Sequence, residues 1–146
     1  MPRIVDGDNL LGTWPERKRS DAERRSLVRE VGRLAARERR RIVLVFDGES
    51  PVPYPPGSDV IFAGGGKSAD DVILAYLRKQ EDRAGWTVVT SDRRLGDQSR
   101  WLGAKVERCD LFRRRLADPK GDDKPLAAED VAEWLRIFGD DGGGPT

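Results

Sequence analysis

Three short apolar runs in this chain each end on an aspartate: residues 4–6 (IVD), 42–47 (IVLVFD) and 86–92 (WTVVTSD). A brief, uninterrupted apolar run reads as a strand covered on both faces. Helix-like stretches separate the three runs. Strands alternating with helices at this spacing imply a parallel sheet with helices on both faces. Such sheets bind ligands beyond the carboxyl ends of their strands. The pattern therefore sets a fold class and also an edge where chemistry is expected.

In chain order, residues 3–6 are the first predicted strand and 7–20 a loop containing Trp14-Pro15. A helix is expected over 21–40. Ser20 and Glu23 stand as a capping box, and Leu27, Val31, Leu34 and Ala35 form a core-facing stripe. A strand at 41–46 leads into 48–57, an extended loop carrying PVPYPP. A strand over 59–63 and the flexible turn Gly64-Gly65-Gly66 precede a helix over 69–84, with Val72, Ile73, Tyr76 and Leu77 on one face. Then come a strand at 86–90, a helix at 92–102, a strand at 104–106 and an Arg-rich helical segment to 116. Residues 118–124 read as a polar linker. Residues 127–138 read as an amphipathic helix with Val131, Trp134, Leu135 and Phe138 inward. One domain over residues 1–139 and a disordered tail over 140–146 are expected.

Composition excludes several chemistries. The 146 residues contain no histidine. Ser-His-Asp and Cys-His catalysis, histidine-containing zinc sites and histidine-based RNA cleavage are all ruled out. Acid–base work must run through carboxylates, Lys, Tyr, Cys109 or metal-bound water. The single cysteine, Cys109, excludes an internal disulfide framework and suggests a reducing cytoplasm. No apolar run approaches the ~20 residues of a membrane span. The N-terminus enters a predicted strand at once, so no signal peptide and no membrane partner are expected.

Asp6, Asp47 and Asp92 each close a predicted strand, and Asp70-Asp71 opens a helix facing the same edge. Several carboxylates on one rim cannot all stay ionised without a counter-charge. An all-oxygen donor set favours Mg2+ or Mn2+ over zinc. Each acid also has a plainer reading. Asp6, Asp8 and Asp47-Gly48 suit turns. Ser68 and Asp71 fit a capping box. Asp92 suits a helix N-terminus, and Asp97 a solvated surface.

Two local patterns resemble other families. Asp6-Gly7-Asp8-Asn9-Leu10 resembles the first motif of haloacid-dehalogenase-type phosphatases, but Asp70-Asp71 precedes Thr90-Ser91, the wrong order for that family. Gly66-Lys67-Ser68 resembles the end of a phosphate-binding loop, yet the required first glycine falls on Ile61. Lys67 is still placed to contact phosphate.

A third resemblance spans residues 3–138. IVDGDNLLG, VLVFDG, DVIFAGGGKSADDVI, VVTSDRRLGDQSRWLGA and PLAAEDVAEWLRIFG, in order and spacing, resemble the YacP-like NYN domain family of the PIN-like nuclease superfamily. The resemblance implies a Rossmann-like three-layer α/β/α fold around a central, mainly parallel sheet. It also implies metal-dependent RNA cleavage, and the expected activity is that of a single-strand-selective endoribonuclease leaving, like its relatives, 5′-phosphate and 3′-hydroxyl ends. By position, Asp6, Asp70 or Asp71, and Asp92 match the metal-holding carboxylates for one or two Mg2+ or Mn2+ ions. Asn9 matches the amide companion of Asp6. Asp8, Asp47, Ser91 and Asp97 stand as additional site candidates. Lys67, Arg93 and Arg94 lie beside the rim and suit the RNA backbone, while Trp14 and Tyr54 suit base stacking or ordinary loop packing. Net charge is only +1, so weak, salt-sensitive binding of free RNA is expected. Presentation of the RNA by a larger assembly such as the ribosome fits that weakness. The rival class is a catalytically idle RNA-binding or adaptor module on the same fold.

Overall fold

A computed structural model describes residues 2–50, 54 and 59–117. The expected linker at 118–124, the helix at 127–138 and the tail lie outside the described residues, as does most of the proline loop.

Five strands form one sheet: β1 (Arg3–Asp6), β2 (Ile42–Phe46), β3 (Val60–Phe62), β4 (Thr87–Val89) and β5 (Lys105–Glu107). Their order is β3-β2-β1-β4-β5, and every pairing is parallel. The helices are α1 (Gly7–Leu11), α2 (Asp21–Glu38), α3 (Ala69–Arg78), α4 (Arg93–Trp101) and α5 (Cys109–Ala117).

Strand residues alternate between two cores. Val5, Ile42, Leu44, Phe46 and Val89 face α1, α2 and α5, where Leu10, Leu27, Leu34 and Phe112 are buried. Ile4, Val43, Val45 and Val88 face α3 and α4, where Ile73, Leu77 and Leu95 are buried. This is the three-layer α/β/α arrangement. The apolar runs are continuous because both faces are covered. No helix among the described residues is long and apolar enough to cross a membrane.

Three local expectations change. Residues 7–20 are not all loop, because α1 starts directly after β1. Burial of Leu10 and Leu11 overrides the turn preference of Asp-Gly and Asn. The turn into α1 needs Gly7, where a methyl group would run into the buried Phe46 ring.

The Ser20 cap is only half a capping box. Ser20 Oγ accepts the Glu23 N–H at 3.1 Å, but the Glu23 carboxylate pairs with Arg17 at 2.7 Å. The helix expected over 69–84 ends at Arg78. Beyond Leu77 the sequence supplies no core residue until Trp86, and a 3-10 turn at Arg83–Gly85 intervenes. The Arg83 guanidinium donates to the Leu77 and Arg78 carbonyls, closing the helix end.

Candidate active site at the carboxyl edge of the sheet

The sheet order reverses direction between β1 and β4, creating a switch point at their carboxyl ends. Asp6 is the last residue of β1, and Thr90 follows β4. The Thr90 hydroxyl lies 3.4 Å from Asp6 Oδ2 and accepts the Asp92 N–H at 3.0 Å. Asp6 is 5% exposed. Burial pushes its carboxyl up to about 7, the Asp70 charge adds to this, and Asp47 and Asp8 add less. The Asn9 backbone N–H pulls the other way, although no side-chain cap bond to α1 forms.

Asp70, on the first turn of α3, is half-buried. Its carboxyl is also raised, by burial first and then by Asp92, Asp47 and Asp71, while Arg94 opposes the rise. Asp6, Asp47, Asp70 and Asp92 therefore share one electrostatic neighbourhood. Three helix starts and two strand ends produce it.

Several of these acids also hold the scaffold. Asp92 caps α4 through Leu95 N–H at 3.0 Å. Asp47 Oδ1 accepts the Ala69 N–H at the head of α3, at 2.8 Å. Asp71 and Ser68 form a complete capping box, and Asp71 is exposed. Asp71 thus takes the capping role, while Asp70 takes the position nearer the sheet. The Ser68 hydroxyl, the last position of the phosphate-loop resemblance, is engaged in that same box.

Asp8 is neither solvated nor free. It is 2% exposed and accepts both arms of the Arg24 guanidinium, at 3.0 and 2.8 Å. Its Oδ2 also accepts the Asp47 N–H at 3.0 Å. Arg24 in turn lies over the Phe46 and Phe62 rings. Asp8 therefore ties α1 to α2 and to the end of β2.

Asn9 works in a similar way. Its Oδ1 accepts the Ser91 N–H at 2.7 Å and faces the Cys109 thiol at 3.2 Å. Ser91 Oγ accepts the Cys109 N–H at 3.1 Å. Burial pushes the Cys109 thiol up to about 12, so it stays protonated and donates. Asn9, Ser91 and Cys109 thus lock α1, the end of β4 and the start of α5 together.

Asp97 pairs with Arg100 at 3.4 Å on the exposed side of α4. Lys67 and Arg93 are exposed beside the rim. Trp14 packs against the core with Arg17 and Arg113 over its ring, which is the loop-packing alternative. Tyr54 is half-buried with its ring 5.7 Å from Phe62. Trp86 is buried, edge-on to Tyr76. Sequence reasoning passed over Arg24 and Thr90. The Thr90 signal was present in the T-S-D strand end, whereas nothing in the spacing singles out Arg24 among so many arginines.

Among the described residues, no group of three or more acidic or cysteine side chains is already drawn together tightly enough to hold a metal ion. The acids are grouped by charge, but their side chains do not form a closed ligand shell.

A five-stranded parallel sheet with an acidic carboxyl edge fits a PIN-like fold. The chain belongs to the YacP-like NYN domain family, whose model matches residues 3–124. No curated protein matches it. Two crystal structures of Rae1 (YacP) from Bacillus subtilis share its fold. One, of a single-residue mutant, has a TM-score of 0.70 and 20% identity, covering 93% of this chain and 82% of that one. The other has a TM-score of 0.69 and 19% identity, covering 97% and 83%.

Proposed function

We propose that this protein is a cytoplasmic, metal-dependent endoribonuclease that hydrolyses phosphodiester bonds in single-stranded RNA. The observation that carries the reading is the buried Asp6 carboxylate at the switch point, raised by burial and by Asp70 and Asp47. Membership of a nuclease family supports the same reaction class.

The donor chemistry fits one or two Mg2+ or Mn2+ ions. The rim is all oxygen, negatively charged and partly desolvated, and a divalent cation would supply the missing counter-charge. Asp6 and Asp70 would hold the ion, with Asp92 completing the set by turning from its cap. Asp71 is the weaker candidate because it is engaged in the capping box. When bound, the metal neutralises charge on the phosphodiester and lowers the pKa of water. Asn9 and Ser91 hold the β1 and β4 ends in register, and Asp47 aims α3 at the rim. Arg94, near enough to Asp70 to lower its pKa, would hold the RNA backbone together with Lys67 and Arg93. A near-neutral chain favours RNA presented by an assembly such as the ribosome.

The test is labelled single-stranded RNA with Mn2+ or Mg2+, comparing wild type with Asp6→Asn. Cleavage by wild type alone, leaving 5′-phosphate ends, is expected. Equal cleavage by both proteins, or by neither with any metal, overturns the reading. A second reading, a non-catalytic RNA-binding module, draws on the commitment of Asp92 and Asp47 to helix caps and on the open ligand shell. It predicts RNA binding without cleavage. The phosphatase alternative loses its acid, because Asp8 is held by Arg24 and the Asp47 N–H.

A further inference from the structure

A cleft of about 310 Å³ opens from the rim between α4 and the β5–α5 connection. Thr90, Ser91 and Asp92 form its inner end, and Arg93, Arg100 and Arg108 line the rest. Arg93, Gly96 and Arg100 fall at i, i+3 and i+7, a single stripe of the helix. Gly96 is buried on the floor, where an added methyl group would already touch Val106 at 3.5 Å and the Arg100 guanidinium at 3.8 Å.

We propose that this cleft is a phosphate track carrying the single strand away from the cleaved bond, with Arg100 and Arg108 as its outer contacts. The assignment rests on the nuclease reading above and extends it beyond the rim. Guanidiniums outnumber carboxylates along the groove, and a forked guanidinium matches phosphate oxygens. Arg100 and Arg108 do have acidic partners, Asp97 at 3.4 Å and Asp110 at 3.2 Å. The two arginine side chains are 61% and 74% exposed, so these pairs are screened and a phosphate can displace them. The cleft is open and edged by three guanidiniums, which suits a backbone better than a base-reading pocket.

The test is fluorescence anisotropy with a labelled single-stranded oligouridine in EDTA. All proteins carry Asp6→Asn to prevent cleavage. Arg100→Gln with Arg108→Gln is expected to weaken binding about tenfold and to flatten the log–log salt slope by about 1.4, or ~0.7 per phosphate contact. Gly96→Leu, which fills the floor and keeps every charge, is expected to weaken binding as well. Both variants should keep the circular dichroism of the parent. An oligodeoxyuridine arm should show the same losses, because phosphate is common to both strands. A loss confined to RNA overturns the phosphate assignment. Unchanged affinity and slope in the variants, or no binding by the parent, overturn the cleft.

The two readings fail separately. Wild type that cuts RNA while the variants bind normally removes the cleft alone. Binding through the cleft by a protein that cuts nothing with Mn2+ keeps the cleft and removes the nuclease.

Discussion

Asp6 is the residue on which stability and the proposed chemistry pull in opposite directions. Its carboxyl titrates near 7 in the fold against an ordinary 3.8. Between these values the native state keeps a proton that the unfolded chain has released. Stability contributed by this group is therefore lost as pH rises from about 4 to 7. Asp6→Asn removes the buried charge, so the variant should melt higher than wild type at pH 8, a gain on the order of a few kcal/mol. The gain should close by pH 4, and thermal unfolding across that range checks it. Equal melting curves at every pH would mean that Asp6 is not held in a charge-averse site.

Asp8 makes the contrasting case. Arg24→Met would leave its buried carboxylate without a guanidinium, at a cost of about 3 kcal/mol in urea unfolding. Adding Asp8→Asn should recover part of that loss, since the amide oxygen can still accept the Asp47 N–H. These residue roles were only partly legible. Asp6 announced itself by ending a strand. Asp8 could not, because its partners lie 16 and 39 positions away and only the fold brings them close.

At the scale of elements, the head of α3 separates two adjacent acids. Asp71 closes a capping box with Ser68, while Asp70 is half-buried toward the rim. Ser68→Ala should cost about 1 kcal/mol of stability and leave RNA cleavage near wild type. Asp70→Asn should leave or raise stability and abolish cleavage. Paired unfolding and activity assays check both, and the reverse pattern would reassign the metal role to Asp71. The sequence already held this distinction, because the capping box is a local motif read from four residues. It held α1 poorly for the opposite reason. Local preference in Gly7–Leu11 points to a turn, and the helix forms only because Leu10 and Leu11 find a core. The inner strands were legible within a residue or two, since a sheet covered on both faces leaves an uninterrupted apolar run.

For the molecule as a whole, net charge is close to zero while one edge gathers Asp6, Asp47, Asp70 and Asp92. The alternation of strands and helices made this edge legible, because a parallel sheet sends every strand end the same way. The helix caps that engage Asp47 and Asp92 were less so, because a cap and a ligand call for the same residue. Repulsion here is local, so general salt should relieve it far less than a divalent ion seated among the acids. Mn2+ that binds only the folded state should stabilise by about 2.7 kcal/mol at a hundred times its dissociation constant. For a domain of this size that is a melting shift of several degrees. The shift should grow with the logarithm of Mn2+, reverse with EDTA and vanish in Asp6→Asn. Potassium chloride at equal ionic strength supplies the control for screening. If it raises the melting temperature as far as Mn2+ does, the rim is a screened acidic surface and the metal site is lost. If Mn2+ alone acts, and only while Asp6 is present, the ion is held where β1 meets the switch point, whether or not any RNA has been cut.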